Sequence, residues 1–292
     1  MDIVFLQGGL GNQMFQYAFY LAKKKKSNKV DYDCGLLSID KQHNGFELDK
    51  LFNVRYKTNK FRVFLLRVIL FMFNKKNALC RFSLLLISSC LKLRLIEDTM
   101  PSLFNSQLLI SQDAYYYGYW QTEKYFRGIE FDLKYIFSFP LCALSKKTIE
   151  CKDLICISNS ISVHIRRGDY LKENNIGLYG NICTLEYYEK SIDYINEKIL
   201  DPMFVIFSDD IKWVKDILQI SNAVYVDWNQ GADAWQDMFL MSQCKHNIIA
   251  NSSFSWWGAW LNSNNDKIVI SPSRFLNIGD SKDIIGNGWI KL

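Results

Sequence analysis

Apolar and polar positions alternate in blocks of strand and helix length through the second half of the chain. Apolar runs of strand length occupy residues 161–165, 203–207, 223–226, 247–250 and 268–270. Stretches with helical periodicity lie between them, at about residues 184–199, 211–220, 233–243 and 254–261. This alternation predicts parallel strands joined by right-handed crossovers, in a doubly wound α/β unit. Ligands of such a unit gather at the carboxyl ends of the strands.

The amino-terminal end of the chain contains one strand, turn and helix in the same alternating pattern. "DIVFLQ" predicts a strand, "GGLGN" a turn and "QMFQYAFYLAKKKK" a helix, whose terminal run Lys23–Lys26 is expected to be solvated. Residues 45–110 are typical mainly of helix and irregular chain. We therefore predict two α/β domains, residues 1–150 and 151–292, with the boundary placed where regular alternation begins.

The apolar segment from Phe61 to Leu95 has two interpretations. Basic residues interrupt it too often for a membrane span; they are Arg62, Arg67, Lys75, Lys76, Arg81 and Lys92. The segment is either a pair of core helices or a basic, apolar surface that rests on anionic lipid.

Composition excludes several classes of protein. With 292 residues and 49% hydrophobic content, the chain can bury a sizeable core and is not disordered. The net charge of +5 favours an anionic partner only weakly. A nucleic-acid-binding module is not expected, because the aromatic residues follow strand and helix periods rather than interleaving with basic residues. The eight Cys lack a C-x-x-C pair and the three His are far apart, so we expect no structural zinc site and reduced thiols.

"GGLGNQ" sets three glycines between the first strand and helix, where the backbone can approach a ligand closely. It is not a dinucleotide fingerprint, because Met14 stands where the third glycine would be. Its polar residues favour a ligand-binding turn over a tight turn that merely needs glycine. The candidates on this side are Gly9, Gly11, Asn12 and Gln13.

"VHIRRGDY" places His164 and Arg166 on one face of a strand, from which they leave its carboxyl end together. A guanidinium suits a diphosphate, because its forked donors match phosphate oxygens and it stays charged. Asp169 is expected either to orient Arg167 or to act on a substrate hydroxyl. A purely structural Arg–Asp pair is the alternative.

Four further motifs carry candidate residues. Ser208 and Asp209 of "FSDD" are candidates for holding ribose hydroxyls, although Asp209 or Asp210 capping the next helix is an equal alternative. Asp237 carries a carboxylate that can accept N–H groups from a guanine edge. In "NSSFSWW", Ser252 and Ser253 lie at a helix amino terminus suited to phosphate, whereas the tryptophans are expected in the core. "DYD", at Asp31 and Asp33, leaves open a divalent metal site.

Taken together, the motifs resemble a known family. "GGLGNQMFQYAF", "GYWQTEKYF", "HIRRGDY", "FSDD" and "DMFLMSQCKHNIIANSSFSWWGAWL" occur in the order seen in the bacterial α-1,2-fucosyltransferases of glycosyltransferase family 11. The resemblance extends from residue 3 to about residue 261. It implies an α/β fold of GT-B type, with two Rossmann-like domains facing a cleft. The amino-terminal domain would take the acceptor and the carboxyl-terminal domain GDP-fucose.

The implied reaction is inverting transfer of L-fucose from GDP-β-L-fucose to the 2-hydroxyl of a terminal β-galactoside, with no metal or other cofactor. The implied setting is O-antigen or surface polysaccharide synthesis. The chain begins without a leader-like segment, which predicts a cytoplasmic location, with peripheral membrane contact where the acceptor is a glycolipid. Alternatives are a fucosyltransferase of another linkage or acceptor, and a nucleotide-sugar hydrolase or binding protein.

The resemblance also implies roles for residues. Arg166 would bind the β-phosphate, and Asn12 would meet the fucose and acceptor. Asp169 is the first candidate for the catalytic base and Glu173 the second. The donor-binding candidates are His164, Arg166, Arg167, Ser208, Asp209, Asp237, Ser252, Ser253 and Phe254.

Overall fold

The computed structural model describes residues 1–38, 44–74, 94–98 and 102–292, in two compact units. The first unit is Met1–Ser138 and the second is Phe139–Leu292. The division falls before the predicted boundary at residue 150, because the helix Lys146–Ile157 belongs to the second unit. That helix buries Cys151 and Ile155 and packs on elements of its own unit.

Unit 1 contains a four-stranded parallel sheet in the order β2-β1-β4-β3. Short 3₁₀ helices occupy Gly35–Ser38 and Glu123–Phe126. The strands and α-helices described in this unit are β1 Asp2–Phe5, α1 Leu10–Lys26, β2 Val30–Asp33, α2 Leu48–Phe52, α3 Lys60–Asn74, β3 Arg94–Glu97, α4 Gln107–Ile110, β4 Ala114–Tyr117 and α5 Glu130–Ile136.

Unit 2 contains a six-stranded parallel sheet in the order β10-β9-β8-β5-β6-β7. Short 3₁₀ helices occupy Leu141–Ala143 and Gly231–Asp233. The strands and α-helices of this unit are α6 Lys146–Ile157, β5 Asn159–Ile165, α7 Glu173–Tyr179, α8 Leu185–Lys198, β6 Pro202–Ser208, α9 Ile211–Ile217, β7 Ala223–Val226, α10 Trp235–Gln243, β8 His246–Ile248, α11 Ser253–Leu261, β9 Val269–Ser271 and β10 Ile290–Lys291.

The core of unit 2 follows the two-residue period of its central strand. Ile161, Val163 and Ile165 of β5 point to one face, where Tyr187 and Tyr188 of α8 cover them. The next strand, β6, is buried on both faces, as parallel strands between two helical layers are. Trp256 and Trp257 are fully buried and Trp260 is 8% exposed, so these tryptophans lie in the core, as expected.

Each sheet has one point where the chain's path along the sheet reverses. In unit 2 the chain runs from β5 outward to β6 and β7, and then places β8 on the other side of β5. In unit 1 the chain leaves β1 for β2, and β4 later pairs on the opposite side of β1. Connections diverge at such switch points and open a crevice between carboxyl ends, which is where open α/β sheets bind ligands.

Helix α3 buries one side of the apolar segment and exposes aromatic rings on the other. Val63, Leu66 and Ile69 are buried in the core of unit 1, whereas Phe61 is 67% exposed and Phe64 is 64% exposed. Residues 75–93 of the segment lie outside the described residues. Among the helices that the structure describes, none has the length and apolar character needed to traverse a bilayer.

Lys23 is buried, contrary to the expectation for the lysine run. Its side chain is 1% exposed and its Nζ lies 2.9 Å from Asp2 Oδ2. Nζ also donates to the carbonyl oxygens of Leu108, at 2.7 Å, and Ser111, at 2.8 Å, and to the Tyr116 hydroxyl at 2.9 Å. One ammonium group thus ties α1 to β1, β4 and the segment around α4. The three lysines that follow it are exposed, as expected.

Candidate active site

The strand β5 carries a buried histidine to the switch point of unit 2. His164 is 6% exposed, and its ring centroid lies 6.0 Å from that of Phe254. Burial, together with the positive charge of Arg166, lowers the pKa of His164 to about 3, so the imidazole is neutral at any working pH. Its Nδ1 is buried and makes no hydrogen bond to a described residue. A buried nitrogen of this kind is suited to a ligand hydrogen bond, because leaving it unpaired is costly.

Arg166 follows at the end of β5 and is held by two carboxylates. Its Nε donates to Asp169 Oδ1 at 2.8 Å and lies 3.3 Å from Asp209 Oδ2. Within the described part of the chain, neither terminal amino group of this guanidinium is hydrogen-bonded. Asp169 therefore orients Arg166 rather than Arg167, and it leaves the two-pronged end of Arg166 available for an anion.

Asp209 holds the backbone of the loop that carries Arg166. Its Oδ1 accepts from the Arg167 amide at 2.9 Å and its Oδ2 from the Gly168 amide at 3.0 Å. A Cβ at Gly168 would lie 2.8 Å from Oδ2, so any other residue there would displace the carboxylate. The carboxylate predicted to hold ribose is thus engaged inside the protein. Asp210 is the helix cap, because its Oδ1 accepts from the Trp213 amide at 3.2 Å.

We expect Asp209→Asn to lower kcat/KM for glycosyl transfer by about tenfold. Asn retains one acceptor oxygen, so one loop amide loses its partner, and a hydrogen bond to a charged group is worth about 1.5–3 kcal/mol, less where water reaches it. Asp216→Asn, at an exposed aspartate of α9, is the matched control. Steady-state kinetics on both variants, at equal Tm, check this. Equal activity of the two would contradict a role for the Asp209 contacts.

Arg167 turns toward α9. Its Cζ lies 3.6 Å from the ring centroid of Trp213, and its Nε is 3.6 Å from Asp210 Oδ2. A guanidinium that is stacked on an indole and paired with a carboxylate fixes the loop to this helix. Ser208 is likewise engaged, since its Oγ accepts from the Asp210 amide at 3.0 Å.

The loop after β8 completes the switch point. Ser252 caps α11, and its Oγ accepts from the Phe254 amide at 3.3 Å. Ser253 begins this nine-residue helix, so its amino terminus points unpaired backbone amides and the positive end of its dipole outward. Tyr170, which sequence reasoning missed, donates from its hydroxyl to the Asn251 carbonyl at 3.0 Å. It directly joins the loops after β5 and β8.

Asp237 lies on α10, beside a partner that sequence reasoning also missed. Asn229 Nδ2 donates to Asp237 Oδ1 at 2.9 Å, and the Thr148 hydroxyl donates to Asn229 Oδ1 at 3.1 Å. Burial raises the pKa of Asp237 to about 7, and the Asn229 hydrogen bond opposes that rise. Asn229 stands in the polar stretch "DWNQGAD" that follows β7, a position at the ligand-binding edge that could have drawn attention to it.

A cavity of about 270 Å³ lies beside Arg166 in unit 2. Aromatic rings form much of its wall, and Tyr170 and Tyr179 stack with centroids 5.0 Å apart. Thr184 and Asn251 supply polar atoms. A mixture of aromatic faces and a few hydroxyl and amide groups is typical of small-molecule sites.

In unit 1, the residues of "GGLGNQ" divide between structure and site. Gln13 is fully buried, and its Nε2 donates to the carbonyl oxygens of Gly8 and Gly45, both at 2.8 Å. Its Oε1 accepts from the Glu47 amide at 3.0 Å, so the carboxamide is buried and committed to the protein rather than available to an acceptor sugar. Gly9 precedes α1 and Gly11 is buried within its first turn.

Asn12 remains half-exposed at the same turn. Its Oδ1 accepts from Gln121 Nε2 at 2.8 Å, which brings the motifs "GGLGNQ" and "GYWQTE" together. Gly8 has a φ of +75°, and a Cβ there would approach Asn12 Nδ2 to 2.9 Å. Gln121 lies in the motif "GYWQTEKYF", but its residue type alone does not indicate this contact.

The two carboxylates of "DYD" have partners within unit 1. Asp33 accepts from the amides of Gly35, at 2.9 Å, and Asn59, at 3.0 Å. Asp31 Oδ1 lies 2.9 Å from Lys57 Nζ. In the part of the chain that the structure describes, no group of three or more His, Cys, Asp or Glu could hold a metal ion. The arrangement gives the metal interpretation no support.

Both units are parallel α/β sheets with polar side chains at the carboxyl ends of the strands, which confirms the predicted α/β fold class with two Rossmann-like units. A model of glycosyl transferase family 11 matches residues 2–292, so the chain belongs to that family. The family predicted from the motifs is thereby confirmed.

Two bacterial relatives cover almost the whole chain. "Alpha-1,2-colitosyltransferase" of Escherichia coli is 37% identical over 292 residues, covering 98% of this chain and 97% of the relative. "O-antigen biosynthesis glycosyltransferase WbnK" of Escherichia coli is 32% identical over 312 residues, covering 98% and 99%. "Galactoside alpha-(1,2)-fucosyltransferase 1" of Homo sapiens is 29% identical over 125 residues, covering 40% of this chain and 34% of that protein.

Solved structures resemble this chain more distantly. NodZ alpha-1,6-fucosyltransferase soaked with GDP-fucose has a TM-score of 0.46 and 13% identity, covering 89% of this chain and 91% of that chain. Fucosyltransferase NodZ from Bradyrhizobium has a TM-score of 0.48 and 12% identity, covering 88% and 91%.

Proposed function

We propose that this protein is an inverting, metal-independent galactoside α-1,2-fucosyltransferase. It transfers L-fucose from GDP-β-L-fucose to the 2-hydroxyl of a terminal β-galactoside. The observation that carries the proposal is the unpaired two-pronged end of Arg166 at the switch point of unit 2. The family and the names of the α-1,2-specific relatives support the linkage.

In this reaction the acceptor 2-hydroxyl attacks C1 of fucose from the face opposite the leaving group. The bond from C1 to the β-phosphate oxygen breaks, the bond from C1 to the galactose oxygen forms, and GDP leaves. Negative charge develops on the β-phosphate, and the guanidinium of Arg166 stabilises it. This cation, with the amino terminus of α11 at Ser252, Ser253 and Phe254, neutralises the diphosphate without a metal or other cofactor.

The proton of the attacking hydroxyl needs an acceptor, and we assign it to Asp169. Its Oδ1 is bound to Arg166, so Oδ2 is the atom that would receive the proton. Glu173, on the exposed first turn of α7, is the second candidate. Retained transfer by Asp169→Asn at saturating donor would remove Asp169 from this role.

Recognition of guanine is assigned to Asp237 and His164. A carboxylate accepts two N–H groups from the edge of guanine, and the neutral imidazole supplies one further hydrogen bond to the base or ribose.

Donor affinity should therefore rise with pH. The pKa of Asp237 is about 7, so its carboxylate form increases from about 10% at pH 6 to about 90% at pH 8. Because the ionised form is the one that accepts the guanine N–H groups, the Kd for GDP-fucose should fall by up to about ninefold over that range. Calorimetric titration without acceptor measures it. Asp237→Asn should bind with no such slope, and an unchanged slope in this variant would contradict the assignment.

A second candidate donor follows from the relative that is 37% identical, which is named for colitose transfer. Colitose is L-fucose without its 3-hydroxyl, so GDP-colitose presents the same guanine, diphosphate and anomeric carbon. The interactions assigned to unit 2 do not discriminate the two sugars, and only a direct comparison of the donors does.

The deciding experiment is a transfer assay in EDTA, with GDP-fucose and GDP-colitose against lactose, Gal-β1,3-GalNAc and Gal-β1,3-GlcNAc. Linkage analysis of a product made from GDP-fucose should give Fuc-α1,2-Gal. A kcat/KM at least tenfold higher with GDP-colitose would identify colitose as the donor sugar. The proposed inverting transfer to the 2-hydroxyl of galactose would then stand. Another linkage, a need for metal, or GDP release without transfer to any acceptor would overturn the proposal.

The setting proposed is bacterial O-antigen or surface polysaccharide synthesis, in the cytoplasm, with peripheral contact to the inner membrane. The O-antigen relative supports the pathway class. Helix α3 supports the contact, because Phe61 and Phe64 are exposed beside the basic residues Lys60 and Arg67.

The membrane contact has its own test. The protein should sediment with vesicles containing phosphatidylglycerol and remain in solution with purely phosphatidylcholine vesicles, because both the aromatic rings and the basic charges contribute. Phe61→Ser with Phe64→Ser should abolish the sedimentation. Phe131→Ser, which removes an 84% exposed ring from α5, is the matched control and should sediment normally. Equal loss in both variants would contradict docking by α3.

A further inference from the structure

Two carboxamide side chains meet between the carboxyl ends of β1 and β4, at the switch point of unit 1. Asn12 comes from the turn after β1 and Gln121 from the loop after β4. Gln121 Nε2 donates to Asn12 Oδ1 at 2.8 Å, and both residues are half-exposed. The pair therefore occupies the place where this kind of sheet binds ligands.

The loop that presents Gln121 is held tightly on its amino-terminal side. Asp98 Oδ2 accepts from the amides of Tyr119, at 3.2 Å, and Trp120, at 2.8 Å. Gly118 lies so close to Asp98 that a Cβ there would come within 2.0 Å of the Asp98 Cβ. These contacts fix the backbone direction immediately before Gln121.

Trp120 anchors the same loop in the core. It is fully buried, with a φ of +55°, and its ring stacks on Phe19 with centroids 4.6 Å apart. A bulky residue with positive φ is a strained conformation that persists only where the surroundings determine it, and such positions concentrate at ligand sites. On the other side, Thr122 Oγ1 accepts from the Lys124 amide and caps a 3₁₀ helix. Gln121 is thus a half-exposed polar residue between two fixed neighbours.

The hydrogen-bonding capacity that the pair retains identifies its ligand. Asn12 Nδ2 keeps its N–H donors and Gln121 Oε1 keeps its lone pairs, and among the described residues neither atom has a hydrogen-bond partner. An adjacent donor and acceptor match neighbouring hydroxyl groups of a pyranose, each of which can both donate and accept. An uncharged pair of this kind gives no preference for phosphate or carboxylate, which favour cationic donors.

We propose that Asn12 and Gln121 together form the acceptor-sugar subsite, and that Gln121 is a substrate-binding residue for the β-galactoside. This inference rests on the proposed function and extends it, because Gln121 is not among the acceptor-side candidates Gly9, Gly11, Asn12 and Gln13 that the sequence offered. The subsite replaces Gln13, whose carboxamide is buried and committed to the protein.

The test measures acceptor and donor parameters separately. Gln121→Ala should raise KM for lactose by about 5- to 30-fold, the loss expected for one or two hydrogen bonds, with the Kd for GDP-fucose unchanged. Asn12→Ala should have a similar effect, and the double variant should be little worse than either single one, because either change breaks the pair. Gln107→Ala, at an exposed glutamine in α4 of the same unit, is the control and should behave as the natural chain.

The possible outcomes distinguish a failure of the proposed acceptor subsite from a failure of the proposed transfer reaction. If transfer persists and KM for lactose is unchanged in Gln121→Ala, or if only donor binding weakens, the subsite is overturned while the proposed function stands. If Gln121→Ala does not fold, Gln121→Met, which keeps the length of the side chain and removes both polar atoms, takes its place with the same expected result. If the natural chain transfers neither sugar, NMR titration with methyl β-galactoside tests the subsite alone. Binding that Gln121→Ala weakens supports it, and absence of binding, or binding that this variant leaves unchanged, overturns it.

Discussion

Replacing Arg166 with Ala should lower kcat/KM for transfer by about 10²- to 10³-fold, the loss seen when one preorganised donor to a developing oxyanion is removed. Arg166 leaves β5 at the switch point of unit 2 with its Nε fixed by Asp169 and Asp209. Its geometry therefore exists before substrate binds, and no reorganisation is needed as charge develops on the leaving phosphate.

Arg166→Lys should recover little of this activity, because an ammonium group cannot bind Asp169 through Nε and still present two parallel donors to a phosphate. Lys190→Ala is the matched control, since it removes an exposed cation of the same unit whose partner is Glu186 on the same helix. Steady-state kinetics with GDP-fucose, at equal Tm, give the comparison. A loss below tenfold in Arg166→Ala would contradict the role assigned to Arg166.

Lys23→Met should destabilise the protein by about 3–5 kcal/mol, because it leaves the Asp2 carboxylate as an uncompensated buried charge. The Tyr116 hydroxyl and the carbonyl oxygens of Leu108 and Ser111 lose the hydrogen bonds that Lys23 donates to them in the same step. Burial already lowers the pKa of Lys23, and the hydrogen bond to Asp2 opposes that shift. Hydrogen bonds within the protein, rather than solvent, therefore stabilise the charged forms of Lys23 and Asp2.

Urea unfolding monitored by far-ultraviolet circular dichroism measures this effect. Lys26→Met, which removes an exposed lysine from the same turn of α1, is the control and should cost less than about 0.5 kcal/mol. Adding Asp2→Asn to Lys23→Met should restore part of the stability, because the buried charge is removed with its partner. A loss under about 1 kcal/mol in Lys23→Met would show that the pair contributes little.

The fold of unit 2 could be predicted closely from the sequence. The strand predicted at 161–165 is β5 Asn159–Ile165, and the helix predicted at 184–199 is α8 Leu185–Lys198. Parallel strands covered by helices on both faces give near-continuous apolar runs, which are the strongest pattern that a sequence carries. The same two-residue period placed His164 and Arg166 together.

Partners distant in sequence could not be predicted. Asp209 lies 41 residues or more from the loop amides it holds, so composition could suggest only a cap or a ribose contact. Lys23 looked like its neighbours in a run of lysines, although it follows Phe15 and Phe19 at four-residue spacing on the buried stripe of α1. Helical periodicity therefore held a signal that the charge pattern concealed.

Neighbouring residues of one motif also separate once the helix forms. Asn12 and Gln13 are about 100° apart around α1, so one side chain reaches the surface while the other is enclosed. The motif indicated that polar groups gather at this turn, but only the direction of the helix decides which of them meets a ligand.

The contact between Gly168 and Asp209 has a consequence for how this enzyme can diverge. A methyl group at position 168 would collide with the carboxylate that fixes the loop, and removing that carboxylate would release the loop amides. A side chain at position 168 is therefore expected only in homologous proteins that have also replaced Asp209, whereas loss of Asp209 alone leaves Gly168 in place and costs the two loop contacts. An engineered library that varies position 168 should vary position 209 with it.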